Sequence, residues 1–247
     1  MQHSTAILIF ANTPQQEIRS KDFGKSLSKG DQLKVAQALL RHTRQVAQAT
    51  GLPVIEILSS HQQGDDFATR FTQAIGQVFA QGYSKVISIG TDCPDLRPKD
   101  ILVAQAQLPS AQAVLGLAND GGAYLIALDK RRFHKADFQQ LPWQTTQTAQ
   151  ALIEYFNQQR IDPTRLATLK TDIDNFAQLV QAFQELTPAS ELYQIIATLL
   201  GPQKRLFFWV YIQCYVALFA HLTGLRAPPL PPAPISPLIT DQKHCLL

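Results

Sequence analysis

Apolar and polar positions run along the chain in blocks whose periods separate strands from helices. Ala6-Ile7-Leu8-Ile9-Phe10-Ala11 is an unbroken apolar run, the pattern of a strand covered on both faces of a parallel sheet. Pro53 to Leu58 and Lys85 to Gly90 repeat it. Between these runs the period lengthens. From Asp31, read as an N-cap, Leu33, Ala36, Leu39, Leu40, Val46 and Ala47 recur at helical spacing as far as a stop at Gly51. Phe67, Phe71, Ile75, Val78 and Phe79 do the same before Gly82, and their rings are expected in the core.

The second half continues the alternation. A Pro-led helix from Pro98 to about Leu108 precedes strands over Ala113 to Gly116 and Ala123 to Leu128. A loop or short helix fills Arg131 to Gln144, a helix runs from about Thr146 to Arg160, and Leu166 to Leu169 reads as a short strand. Phe176, Leu179, Val180 and Phe183 mark one more buried helical face, and a helix from Pro188 stops at Gly201-Pro202. Strands alternating with helices in this way indicate an α/β fold with a mixed, mostly parallel sheet flanked by helices.

At Gly201 the character changes. Leu206 to Leu225 is apolar and long enough to span a bilayer, although Gln213, His221 and Thr223 interrupt it. The proline-dense segment Ala227 to Pro237 suits an extended tail. The expected organisation is therefore one domain over residues 1–201, with an apolar helix and a Pro-rich tail over 202–247. Membrane contact through 206–225, and docking of that helix on the domain or on a dimer partner, are both open.

Composition narrows the class. With 45% hydrophobic and 17% charged residues in 247, the chain can build a sizeable core. Its net charge of +3 is small and scattered, with no basic run interleaved with aromatics, so no nucleic-acid partner is expected. Cys93, Cys214 and Cys245 are too few and too far apart for a disulfide framework or a Cys-Xaa-Xaa-Cys zinc site. A reducing cytoplasm is the expected compartment. The first apolar run begins too early and without basic residues before it, so it reads as a strand and not as a signal peptide.

Candidate chemistry gathers beyond the strands. Val86 to Ile89 leads into Gly90-Thr91-Asp92-Cys93-Pro94-Asp95, which places two carboxylates in the crevice where open α/β sheets bind ligands. There they could hold a phosphate-bound metal, or cap a helix and a turn. Arg19, Lys21 and Lys25 follow the first strand without a Gly-Xaa-Gly-Xaa-Xaa-Gly or Walker motif, so any grip on phosphate falls to side chains. A solvated loop is the other reading. In Asn119-Asp120-Gly121-Gly122 two glycines allow close backbone approach to a ligand that Asp120 could face, while Asp-Gly is also a strong hairpin signal. Asp172 and Asp174 follow another apolar run, Asp174 or Asn175 being placed to cap the next helix.

The ordered series Ile89-Gly90-Thr91-Asp92-Cys93-Pro94-Asp95-Leu96, Leu115-Gly116 leading to Asp120-Gly121-Gly122-Ala123-Tyr124-Leu125-Ile126, Leu141-Pro142-Trp143 and Thr171-Asp172-Ile173-Asp174 resembles a bacterial family of small GT-A-fold proteins. Members are described as glycosyltransferases, some of them in arsenosugar biosynthesis. In architecture the family is similar to molybdenum-cofactor guanylyltransferase and 2-phospholactate guanylyltransferase. The resemblance spans about Ala6 to Leu186. It implies a Rossmann-like nucleotide-diphospho-sugar transferase fold with a divalent cation, magnesium or manganese, held by Asp92 and Asp95, with Asp172 and Asp174 as further metal ligands or ligand-positioning groups. Arg19 and Lys21, with Gly121 and Gly122, would meet the nucleotide phosphates, and Asp120 would be the base near a small acceptor. The family's Lys-Thr-Arg signature behind a Pro and a Gly is replaced here by Gln15-Gln16-Glu17-Ile18-Arg19-Ser20-Lys21, which keeps basic residues around a hydroxyl but loses the glycine. The resemblance implies glycosyl transfer from a nucleotide sugar. Nucleotidyl transfer from a nucleoside triphosphate, and a degenerate nucleotide-binding protein without activity, are the alternatives.

Overall fold

The computed structural model describes residues 4–21, 27–173, 178–179, 186 and 190–199. Two compact units divide at Ile195 and Ile196. Among its described residues the first contains, in order, β1 (Thr5–Ala11), α1 (Pro14–Ser20), α2 (Lys29–Gln48), β2 (Val54–Leu58), α3 (Phe67–Ala80), β3 (Lys85–Ile89), α4 (Pro98–Ala111), β4 (Ala113–Leu117), β5 (Ala123–Asp129), α5 (Lys135–Gln139), α6 (Thr148–Gln158) and β6 (Thr164–Arg165).

The sheet runs β2-β1-β3-β5-β4-β6. β5 is antiparallel to both its neighbours, and the other pairs are parallel. Every residue of β1 is buried, as expected for a strand with partners on both edges and helices on both faces. One core, built on Leu8, Val86 and Ile126, packs the sheet against α3, α5 and α6. The other, built on Ile7, Ile87 and Leu125, packs it against α2 and α4. Alternate residues of each strand supply the two faces. The α/β class and the mostly parallel sheet are thus as the periodicity predicts.

Several boundaries differ, each for a local reason. α2 begins at Lys29, because Ser28 is the N-cap and Asp31 its reciprocal partner: the Ser28 hydroxyl accepts from the Asp31 N–H at 3.1 Å and donates to Asp31 Oδ2 at 2.8 Å. The polar stretch after β1, read as a loop, folds as α1 with Thr13 as N-cap and Pro14 in the first position. The last strand sits at Thr164–Arg165 instead of 166–169, with a single parallel bridge from Ala118 to Lys170 continuing the pairing.

The expectation of membrane association is corrected: among the described residues no helix is long and apolar enough to cross a membrane. Residues 206–225, on which that expectation rested, lie outside the described residues, as do Lys25 and Asp174.

Candidate functional site

The carboxyl ends of β1 and β3 open onto a cleft of two adjoining hollows that share Phe10, Phe67, Gly90, Asp92 and Gln144. β3 ends at Ile89, and the following turn carries Asp92 to the cleft rim. The backbone holds it there: the Ile173 N–H donates to the Asp92 carbonyl at 2.8 Å, which brings the segment containing Asp172 beside the β3 turn. Asp92, Asp120 and Asp172 line the same cavity, of about 410 Å³. Three carboxylates remote in sequence therefore share one rim.

Asp92 is not a bare carboxylate. Its Oδ1 lies 2.7 Å from the Lys21 ammonium, which also sits 3.3 Å from Glu17 Oε1 and donates to the Ile173 carbonyl at 2.7 Å. Lys21 reaches this position because α1 ends one residue before it, with its N–H bonded to the Glu17 carbonyl. Burial, reinforced by the neighbouring Asp92 charge, raises the pKa of Glu17 above its ordinary value, and the Lys21 charge opposes that shift. The lysine thus bridges two carboxylates that would otherwise repel each other.

Asp92 also marks a division of the cleft. On the β1 side lies a polar hollow of about 370 Å³ bordered by Asn12, Gln16, Lys21, Gln62 and Arg70. Arg19, exposed on α1, lines an adjoining depression of about 420 Å³ together with Arg70. On the β5 side the walls are aromatic. Phe10 and Phe71 stand 5.1 Å apart between ring centres, and Trp143 meets Phe71 edge-on at 5.2 Å. The Trp143 indole N–H donates to the Phe138 carbonyl at 3.0 Å, fixing the ring from behind.

Asp120 lies in the β4–β5 turn, so the hairpin reading of Asp-Gly and the cleft-facing reading both describe it. Its Oδ1 accepts from the Gly122 N–H at 2.8 Å. Gly122 lines the cavity, whereas Gly121 is required for packing. Gly121 has φ +88°, and a Cβ there would clash with the Thr146 carbonyl oxygen. The Gly121 carbonyl accepts from the Ala149 N–H at 2.9 Å, tying the turn to the start of α6.

Asp95 is directed away from Asp92. Its carboxylate accepts from the Cys93 thiol at 3.1 Å and pairs with Lys170 at 3.1 Å. Lys170 is only 4% exposed and also pairs with Asp100 at 3.2 Å, at the start of α4. Burial alone would lower the Lys170 pKa, but the charges of Asp95 and Asp100 outweigh it and leave it raised. Burial, with Asp95 beside it, pushes the Cys93 thiol up, so this sulfur is no thiolate nucleophile. Asp95 and Lys170 fasten the turn that presents Asp92.

Trp143, Arg70, Ser88 and Lys170 are site or support residues that the sequence does not single out by role. Trp143 has a signal in the Leu141-Pro142-Trp143 motif, and Ser88 has one as a lone hydroxyl in an otherwise apolar strand core.

Residues 26–145 match a family described as "Uncharacterized protein conserved in bacteria (DUF2064)". No curated protein matches the chain. Among solved structures, the fold is shared with a proposed nucleotide-diphospho-sugar transferase from Desulfovibrio desulfuricans G20 at a TM-score of 0.70 and 21% identity, over 79% of this chain and 94% of that one. The likeness to the Desulfovibrio structure shows a shared fold. Looser likenesses link the chain to Rv0371c from Mycobacterium tuberculosis H37Rv in complex with manganese (TM-score 0.45, 12% identity, 74% of this chain and 100% of that one). Another is a cytidylyltransferase from Leptospira borgpetersenii serovar Hardjo-bovis strain JB197 (TM-score 0.44, 13% identity, 79% and 93%).

Proposed function

We propose that the protein is a nucleotide-utilising transferase that moves a glycosyl group from a sugar nucleotide to a small acceptor. The observation that supports this most is the division of the cleft at Asp92, with Lys21 and Arg70 on one side and aromatic rings with Asp120 on the other. A nucleoside diphosphate is an anion and needs the half that holds Lys21 and Arg70, where Glu17 and Asp92 are the acidic neighbours. Lys21 and Arg70 would meet the diphosphate oxygens, with Arg19 at the outer edge.

A divalent cation suits the residues present. Magnesium is commonly bound by one or two carboxylates, with phosphate oxygens and water completing its sphere. Asp92 and Asp172, which share the cavity, would supply the carboxylates. Among the described residues no group of three or more His, Cys, Asp or Glu could hold a metal, so the phosphates would have to contribute. When bound, the cation would offset the negative charge that develops on the departing nucleoside diphosphate.

With Oδ1 engaged by the Gly122 N–H, Asp120 keeps Oδ2 to receive the proton of an acceptor hydroxyl. The acceptor oxygen would bond to the anomeric carbon as the bond from that carbon to the phosphate oxygen breaks. The family resemblance adds arsenosugar biosynthesis as one setting for such a transfer.

The test is turnover by the full chain with manganese, a panel of sugar nucleotides and a panel of neutral and amine-bearing hydroxyl acceptors. Acceptor-dependent release of nucleoside diphosphate is the expected result. Release of pyrophosphate from nucleoside triphosphates, with no sugar nucleotide consumed, would overturn glycosyl transfer in favour of nucleotidyl transfer. Binding without any turnover would leave a non-catalytic nucleotide-binding protein.

A further inference from the structure

The aromatic half of the cleft carries a charge pattern that restricts what can enter it. Of the side chains lining that cavity three are aspartates, Asp92 being paired with Lys21 at 2.7 Å, and among the described residues no Lys, Arg or His lines it. Phe10, Phe67, Phe71 and Trp143 form its wall, with ring centres 5.1 to 6.0 Å apart. Ring faces carry partial negative charge and attract cations, so wall and rim act in the same direction.

A second observation points to an occupant. Ser88, in the middle of β3 between Leu8 of β1 and Ile126 of β5, lines this cavity and is 4% exposed. Its hydroxyl oxygen is buried with no hydrogen-bond partner in the structure. Buried hydroxyls ordinarily find partners, because leaving one unpaired costs stability. A polar atom of a molecule seated among the rings would supply the missing bond.

We infer that the part of this cavity bounded by Phe71, Trp143, Ser88 and Asp120 is a binding subsite for a ring-bearing molecule that is uncharged or cationic. This part rejects phosphates and carboxylates, the Asp92 and Asp172 edge being left to the cation and the diphosphate. Under the transferase reading, on which this assignment of role rests, that molecule is the acceptor. Its flat apolar body lies against Phe71 and Trp143, a polar group reaches Ser88, and its nucleophilic hydroxyl faces Asp120. A phosphorylated acceptor is thereby excluded. An anion entering here would lose water and meet Asp120, whose carboxylate makes no ion pair among the described residues.

The experiment uses three probes of similar shape and different charge: 2-phenylethanol, phenethylamine and phenyl phosphate. Binding to the full chain is followed by saturation-transfer NMR, with neither nucleotide nor metal present. The amine is expected to bind at least as well as the alcohol, and the phosphate at least tenfold more weakly. Trp143→Ala should abolish binding of both the amine and the alcohol. Asp120→Asn should reduce the preference for the amine over the alcohol. Phenyl phosphate binding as tightly as the other two would overturn the inference, as would unchanged binding in Trp143→Ala. If that variant fails to fold, the charge order in the unmodified protein decides. Because no nucleotide takes part, a subsite that binds as described without any sugar-nucleotide turnover refutes the transferase reading alone. Turnover with a phosphorylated acceptor refutes the subsite alone.

Discussion

Lys21 Nζ lies 2.7 Å from Asp92 Oδ1, so the charge nearest the proposed metal-binding carboxylate is a lysine of the chain itself. The ammonium and a divalent cation would compete for the same oxygen before a nucleotide arrives. Once a diphosphate is present, Lys21 gains a further anionic partner beside Asp92 and Glu17. Lys21→Ala is therefore expected to shift two affinities in opposite directions. Manganese alone should bind more tightly, by about tenfold, since a hydrogen bond to a charged group contributes roughly 1.5–3 kcal/mol. The sugar nucleotide in the presence of manganese should bind more weakly by a similar factor. Calorimetric titration of both ligands checks the pair of shifts, and two unchanged affinities would show that Lys21 is only a strut.

Glu17 makes the same cluster sensitive to pH. Its pKa in the folded protein is raised, first by burial and then by the Asp92 charge. For a carboxyl shifted in this direction, the folded state holds its proton more tightly than the unfolded chain. The resulting stability is fully present below the ordinary value of 4.5 and is lost as pH rises through the raised value. Glu17→Gln keeps a neutral group at every pH. Urea unfolding across this range should show the variant gaining on the unmodified protein as pH increases, and a constant difference would contradict the shift.

Lys170 is the buried fastener of the turn between β3 and α4. Its ammonium pairs with Asp95 and Asp100 while itself 4% exposed. Lys170→Met would leave two carboxylates, both mostly buried, without their cation. Removing one partner from a buried pair costs about 3–5 kcal/mol. Chemical denaturation should register a loss near the lower end of that range, because Asp95 and Asp100 retain some access to water.

Gly121→Ala tests whether the β4–β5 turn is held by packing. The substitution meets a backbone at φ +88° and a Thr146 carbonyl oxygen that clashes with the new Cβ. Backbone strain of this kind costs about 1–3 kcal/mol, and the clash adds to it. Since the Gly121 carbonyl also anchors α6, thermal unfolding should fall by several degrees, whereas Gly51→Ala, at φ +72° with open space around it, should cost less.

The legibility of this fold in its sequence followed burial. β1, β3 and α3 announce themselves because strands covered on both faces leave long apolar runs, and a helix packed on one side leaves a clean stripe. α1 escaped because it is short, polar and buries little beyond Glu17, so only Thr13 and Pro14 mark it. The positions of Asp92 and Asp120 at strand ends were readable from the turns that carry them. What Asp95 does was not, because its partner Lys170 lies 75 residues away in the chain and only the fold brings them together. The double duty of Phe71, in the core and on the cleft wall, was hidden for a similar reason. A helical stripe specifies which face is buried and says nothing of where that face runs out into a cavity.

Asp92 carries the weight of the proposed chemistry, and Asp92→Asn isolates its charge while keeping its size and its backbone bond to Ile173. The decisive measurement is calorimetric binding of a sugar nucleotide to the full chain, with and without manganese, in the unmodified protein and in this variant. Manganese should strengthen binding to the unmodified protein and have no effect on a variant that unfolds at a comparable temperature. Manganese-enhanced binding that survives undiminished in Asp92→Asn would contradict the assignment of this carboxylate.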